Sequence, residues 1–176
     1  MTPDGHCSHT IGVVDDTLHQ HFSDLMARTD ISIMGRTTYQ MMEDYWPQVA
    51  KDKIGRPAEI QFAERFEAVE KIVVSSTLQK VNWKNVRILR DKVIDEVKRL
   101  KKEEGGYIAI GSPSLISYLT RAGLIDEFNL LIHPFLTSKG PLLFNDLKDT
   151  TRLELLDYEV FDSGVISTHY TVKSHH

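Results

Sequence analysis

The chain has 176 residues, a formal net charge of −4, 41% hydrophobic residues, 26% charged residues and a single cysteine. That length accommodates one domain with a full core. The composition excludes a disordered chain and an internal disulfide, and a surface of this charge attracts neither nucleic acid nor anionic lipid.

The first ten residues, MTPDGHCSHT, are polar loop chemistry with no secretory leader. Residues 16–28 place Leu18, Phe22, Leu25 and Met26 on one face at helical spacing, with Asp16 or Thr17 able to cap the start. A short buried strand is predicted over 31–34 and a helix over 38–45, stopped by Trp46-Pro47. Residues 48–58 read as loop, 58–66 as a second short helix, and 71–76 and 86–89 as strands. Asp91 is placed to cap a helix with Val93, Val97 and Leu100 on its core face, ended by Gly105-Gly106. After a strand at 107–110, Ser112 caps a helix that carries Pro113 at its first position. Strands are expected at 127–136, 153–161 and 165–172, the last two forming a hairpin across Asp162-Ser163-Gly164. No apolar run approaches the roughly 20 residues of a membrane span. The terminal His175-His176 is either native or the stub of a purification tag. Strands alternating with helices argue a mostly parallel sheet covered on both faces, with the terminal hairpin adding antiparallel strands at one edge.

In open α/β sheets, ligands sit beyond the carboxyl ends of the strands. At one such end the stretch IMGRTTYQMM sets Gly35, Arg36, Thr37 and Thr38 at the mouth of a helix. Glycine lets a ligand approach the backbone, the first helical N–H groups lack intrahelical partners, and arginine offers a planar fork suited to phosphate. Taken alone, the stretch reads first as a turn, a cap and a surface arginine. Ile108–Ser114 repeats the pattern through Gly111 and Ser112, and a third predicted strand ends in Ser75, Ser76 and Thr77. Three such corners together suit a dinucleotide, although neither G-x-G-x-x-G nor a P-loop is present.

The segments IMGRTTYQMMEDYWP, IVVSSTL, YIAIGSPSLISYL and GLIDEFNLLIHPFLTSKGPLLF resemble the dihydrofolate reductase-like family. Within it, the chain is similar to stand-alone relatives of the C-terminal reductase domain of the bifunctional riboflavin-biosynthesis deaminase/reductase. The resemblance runs from Thr2 over nearly the whole chain and implies one domain, residues 1–176, of three-layer αβα architecture. It implies NADPH as cofactor. Gly35, Arg36, Thr37 and Thr38 would hold its phosphates, with Arg36 near the adenosine 2′-phosphate. Ser75, Ser76 and Thr77 would flank the adenosine, and Gly111, Ser112, Leu115 and Ile116 would lie under the pyrophosphate. Thr2, Asp4 and Gly5 match a loop that borders nicotinamide and substrate. The family opens with a strand before that loop, and the expectation is that this strand is absent before Met1. The substrate implied is small and heterocyclic, as in 5-amino-6-(5-phosphoribosylamino)uracil reduction. A homodimer is implied as well.

Dihydrofolate reductase carries an acidic residue on its first helix. Here Leu18 or a neighbour falls at that position, so folate reduction is not expected. The proton of a reduction would come from water or from a residue such as Asp4, His19 or His21. Tyr39, Tyr45 and Trp46 form an aromatic group that either packs the core or stacks on a flat substrate, for which Tyr39 and Trp46 are the candidates. His6, Cys7, His9, His19 and His21 are the only metal-like set, but their spacing fits no ordinary zinc module, and no metal is expected. Cys7 lacks a positioned base, and Asp126-Glu127 point to opposite faces of a strand. The expectation is a cytoplasmic reductase of a small molecule, with no nucleic-acid or membrane partner. Two rivals are a nucleotide-binding or sensing protein without catalysis and an oligomeric scaffold without nucleotide.

Overall fold

A computed structural model describes residues 1–8 and 10–173. His9, His175 and His176 lie outside the described residues, and with them one member of the metal-like histidine set and the tag assignment. The chain divides into two compact units, Asp16–Leu115 and Met1–Asp15 with the chain from Ile116 onward.

The first unit holds α1 (Asp16–Met26), β1 (Thr29–Gly35), α2 (Arg36–Glu43), α3 (Trp46–Asp52), α4 (Pro57–Ala68), β2 (Glu70–Val74), β3 (Val86–Leu89), α5 (Val93–Leu100) and β4 (Tyr107–Ile110). Its strands form one parallel sheet in the order β3-β2-β1-β4. Ile33 and Ile72 pair across β1 and β2 and are fully buried, as expected of a strand covered on both faces. Leu18 and Phe22 of α1, four apart, turn one face inward, and so do Phe62 and Phe66 of α4. Met34, Tyr39, Val73 and Trp83 complete this core. The register pairs Gly35 with Val74 and Val74 with Leu89, so the carboxyl ends of β1, β2 and β3 are level.

The second unit holds β5 (Glu127–Ile132), β6 (Leu153–Val160) and β7 (Ile166–Val172), an antiparallel sheet in the order β5-β7-β6. The predicted hairpin is β6–β7. Its strand β7 also pairs with β5, so the antiparallel strands make a sheet of their own rather than an edge of the parallel one. The amino-terminal loop is stitched into this unit. Leu143 donates to the Gly5 carbonyl and Cys7 to that of Pro141, while the Met1 ammonium donates to Leu131 and His133 donates back to Met1. Gly140 permits that stitching. Its φ is +89°, and a Cβ there would stand 2.2 Å from the Cys7 carbonyl oxygen. The boundary helix α6 (Pro113–Arg121) starts at the expected proline. Among the described residues no helix is long and apolar enough to cross a membrane.

Three local readings are corrected. Residues 46–52, expected to open a loop after Trp46-Pro47, form α3, because a proline in the first turn starts a helix as readily as it stops one. Asp91 does not cap α5; Lys92 occupies the cap with φ 54° and no side-chain capping bond is made. Ser112 turns its hydroxyl across the sheet toward β1 and α2 instead of acting only within its own helix.

Candidate functional site

The sheet's carboxyl edge brings the three glycine- and hydroxyl-bearing corners together. The backbone N–H of Gly35 donates to Ser112 Oγ at 2.8 Å, and Ser112 Oγ donates to Thr38 Oγ1 at 2.8 Å. These bonds join the end of β1 to the end of β4. On the other side, Arg36 Nη1 donates to Thr77 Oγ1 at 2.9 Å, joining the start of α2 to the loop after β2. Ser75 is not free to meet a ligand. It is buried, and its Oγ accepts from the backbone N–H groups of Thr77 and Leu78, closing its own turn. Arg36, Thr37, Ser76, Thr77 and Gly111 are exposed at this edge, while Ser112 and Leu115 are buried and Ile116 is half-buried.

Two features of this edge are unexplained by the fold alone. The N-cap residue of α2 is Gly35, which has no side chain with which to cap the first turn. That leaves partial positive charge facing outward. The two glycines also have no internal reason to be glycine. Gly35 has φ −79°, and a Cβ there would make only ordinary contact with Ser112 at 3.6 Å. A Cβ on Gly111 would meet nothing within 4 Å, and its backbone is outside the left-handed region. Glycines kept where neither turn nor packing demands them fit a ligand that comes close to the backbone.

The aromatic candidates separate. Tyr39 is fully buried; its hydroxyl donates to Glu43 and accepts from the Trp83 backbone, and burial pushes its pKa up to about 12. It packs the core and presents no face for stacking, which corrects its assignment to the substrate. Trp46 is half-buried, edge-on to Tyr45, Phe62 and His19, with its indole N–H on Met42 Sδ.

The proton-donor candidates also separate. His19 is buried, with Nδ1 2.9 Å from Arg56 Nη2. A guanidinium only donates, so Nδ1 is the acceptor and the ring proton sits on Nε2, 3.8 Å from Glu59 Oε1. Arg56 also holds Asp16 at 2.9 Å and Glu59 at 3.1 Å. Arg56 and Glu59 escaped the sequence reading, where only their spacing of three at the start of a helix marks them. His21 is half-buried beside Phe22. In the second unit, Asp4 Oδ1 accepts from Thr2 Oγ1 and Oδ2 from the Thr137 backbone at 3.2 Å. The Thr2 hydrogen bond, above all, holds Asp4 below the usual carboxylate range. Asp4 is therefore ionised near neutral pH and suited to accept a proton rather than give one. Burial pushes the Cys7 thiol up, away from the reactive thiolate. Among the described residues no group of three His, Cys, Asp or Glu side chains is placed to hold a metal.

Comparison with known proteins fits this geometry. The family model described as the RibD C-terminal domain matches residues 2–167. YyaP, an uncharacterised protein of Bacillus subtilis (strain 168), is 30% identical over 150 residues, covering 85% of this chain and 77% of the relative. A crystal structure described as a riboflavin biosynthesis protein of Shewanella sp. PV-4 aligns with a TM-score of 0.71 at 22% identity, over 98% of this chain and 95% of the other. A pyrimidine reductase-like protein of Corynebacterium diphtheriae aligns at 0.65 and 18% identity, over 99% and 89%. Dihydrofolate reductase of Enterococcus faecalis, solved with NADP(H), aligns at 0.59 and 14% identity, over 93% and 86%. The fold is thus dihydrofolate reductase-like, an α/β reductase-type fold.

Proposed function

The chain belongs to the RibD C-terminal domain family, and from that premise we propose that it is an NADPH-dependent reductase of a small heterocyclic substrate. A ribosylaminopyrimidine such as 5-amino-6-(5-phosphoribosylamino)uracil is the substrate to test first. The observation that carries the cofactor reading is the pair Gly35 and Gly111, which the fold does not require to be glycine. Around them, the uncapped start of α2, Arg36, Thr37, Ser76 and Thr77 supply donors and positive charge suited to phosphates. When bound, the reduced nicotinamide supplies a hydride.

The chain's own contribution is positioning. Ser112 ties β1, α2 and the end of β4 into one rigid edge, so the donors are set before a ligand arrives. Ionised Asp4 and the hydrogen-bonded His19 are poor proton donors, and we assign the proton of the reduction to water. The same two observations favour the second reading, nucleotide binding without catalysis. We also carry forward a homodimer. The edge strand β6 exposes Leu155, Leu156, Tyr158 and Val160, apolar side chains suited to an interface, and light scattering tests the oligomeric state.

Thermal unfolding with and without NADPH, followed by nicotinamide absorbance with the aminopyrimidine and with dihydrofolate, tests the proposal. Stabilisation by NADPH and oxidation with the aminopyrimidine alone are expected. Binding without oxidation by any heterocycle or aldehyde moves the reading to the non-catalytic protein. No stabilisation by NADPH or NADH overturns both.

A further inference from the structure

We propose that His133 is an acid-released latch: its imidazole holds the strap formed by residues 10–14, and protonation of the ring frees that strap while the preceding residues stay in place. This device stands apart from the cofactor reading. Different kinds of bond hold the two parts of the amino-terminal segment. The first part is fastened by backbone groups, with Cys7 donating to the Pro141 carbonyl and Leu143 to that of Gly5. Neither bond has a titratable member. Residues 10–14, which lead toward α1, form neither helix nor strand, and Thr10, Gly12 and Val14 are exposed. Here the backbone N–H of Val13 donates to His133 Nδ1 at 3.3 Å, across 120 positions of sequence. Gly12 seats the strap on the ring: a Cβ there would stand 3.4 Å from Cε1 and 3.6 Å from Nδ1.

The latch is built on fixed backbone. His133 follows the last residue of β5; its N–H donates to the Met1 carbonyl at 2.8 Å and its carbonyl accepts from the Phe135 N–H at 2.8 Å. An imidazole that accepts at Nδ1 is neutral and carries its proton on Nε2. A second proton turns Nδ1 into a donor facing another donor, and the bond to Val13 is lost. The charged group acting on the half-buried ring is the Met1 ammonium, which donates to the Leu131 carbonyl at 2.7 Å and repels a second positive charge. The Cys7 thiol, which acts on that ammonium, is held neutral by burial, and Gly12 and Val13 bring no side-chain charge. Burial first, and the ammonium after it, hold His133 below the usual imidazole range. With the strap free, the ring regains an ordinary pKa of about 6.5. The latched form takes up its proton at lower pH than the free form, so closure is at full strength above about pH 6.5 and weakens as pH falls below it.

The test is amide hydrogen exchange read by NMR on the full chain without ligand, with each rate corrected for its intrinsic dependence on pH. The proteins are the parent, His133→Asn, His133→Ala and His21→Gln as a control. In the parent, protection of the Val13 amide is expected to fall about tenfold from about pH 7.5 to about pH 5, while the Cys7 and Leu143 amides keep theirs. The nitrogen spectrum of the His133 ring should show the Nε2–H tautomer at the upper end and the cation as protection is lost. Asparagine offers an acceptor near the place of Nδ1 that does not titrate, so Val13 protection in His133→Asn should be level with pH. In His133→Ala it should be lost throughout, and His21→Gln should follow the parent. Val13 protection that is level with pH in the parent, or an acid loss that persists in His133→Asn, overturns the latch. A parallel acid loss at Cys7 and Leu143 overturns it too, because the whole unit would then be loosening. NADPH enters none of these measurements, so their failure leaves the cofactor reading in place.

Discussion

A Gly111→Ala protein should fold at least as well as its parent and bind the dinucleotide less tightly. The added Cβ meets no protein atom within 4 Å, and the backbone there is not in the left-handed region, so the folded chain accepts the methyl without strain. The unfolded chain loses freedom, which stabilises the fold by about 0.4–1 kcal/mol. With a ligand pressed against that backbone the methyl is in the way, and overpacking of this kind costs roughly 1–3 kcal/mol. A cost of about 1.4 kcal/mol is tenfold in affinity. NADPH at about 100 times the parent's dissociation constant adds roughly 2.7 kcal/mol to stability, and the same concentration adds only about 1.4 kcal/mol when affinity is tenfold weaker. In a chain of this size each kcal/mol moves the midpoint by about 2–4 °C, so scanning calorimetry at fixed NADPH resolves both changes. The reasoning fails if the ligand-free variant melts below the parent by more than about 1 kcal/mol, since the fold would then need the glycine. It fails equally if the NADPH-induced shift is unchanged, since the open space at Gly111 would not be where the dinucleotide lies.

Ser112→Ala removes a buried hydroxyl and leaves the half-buried Gly35 N–H without its partner, and should cost about 1 kcal/mol in urea unfolding, against little for exposed Thr37→Ala. Lys71 is fully buried, with its ammonium on the Val69 carbonyl at 2.6 Å and over the rings of Phe66 and Trp83, and burial pushes its pKa down to about 8 from 10.5. The unfolded chain therefore holds a proton that the folded protein has released between those two values, and this contribution to stability rises with pH across that window by up to about 3 kcal/mol. Tyr39, pushed up to about 12 from 10.0, opposes it above pH 10. Subtracting the profile of Lys71→Met from that of the parent cancels Tyr39, and a flat difference from pH 7 to 10 would sink the assignment. Asp4 is ionised at neutral pH, so Asp4→Asn should leave the pH profile of any turnover unmoved from about pH 5 to 9. Loss of a basic limb in that variant would show Asp4 to be the acid after all.

What was legible in the sequence was what short-range physics dictates. The strand at 86–89 and the helix starting at Pro113 rest on patterns within a few residues, and both stand where the spacing puts them. Residues 46–52 were misread because Trp46-Pro47 is compatible with either end of a helix. Tyr39 was open between core and substrate because its direction depends on Trp83, 44 residues away. Ser112 looked like a local cap, and its partner Gly35 is 77 residues distant.

The sequence by itself determined the alternation of strands and helices, the glycine and hydroxyl corners at strand ends, and the family resemblance those segments carry. It did so because periodicity, turn chemistry and helix starts are set by neighbours along the chain. Only the tertiary structure decided which corners face one another and which charges are already paired. Ser112 shows the difference. In the sequence it is one serine before a proline. It reaches the Gly35 N–H only because β4 pairs with β1, an order set by the packing of the whole sheet and encoded in no single stretch of it.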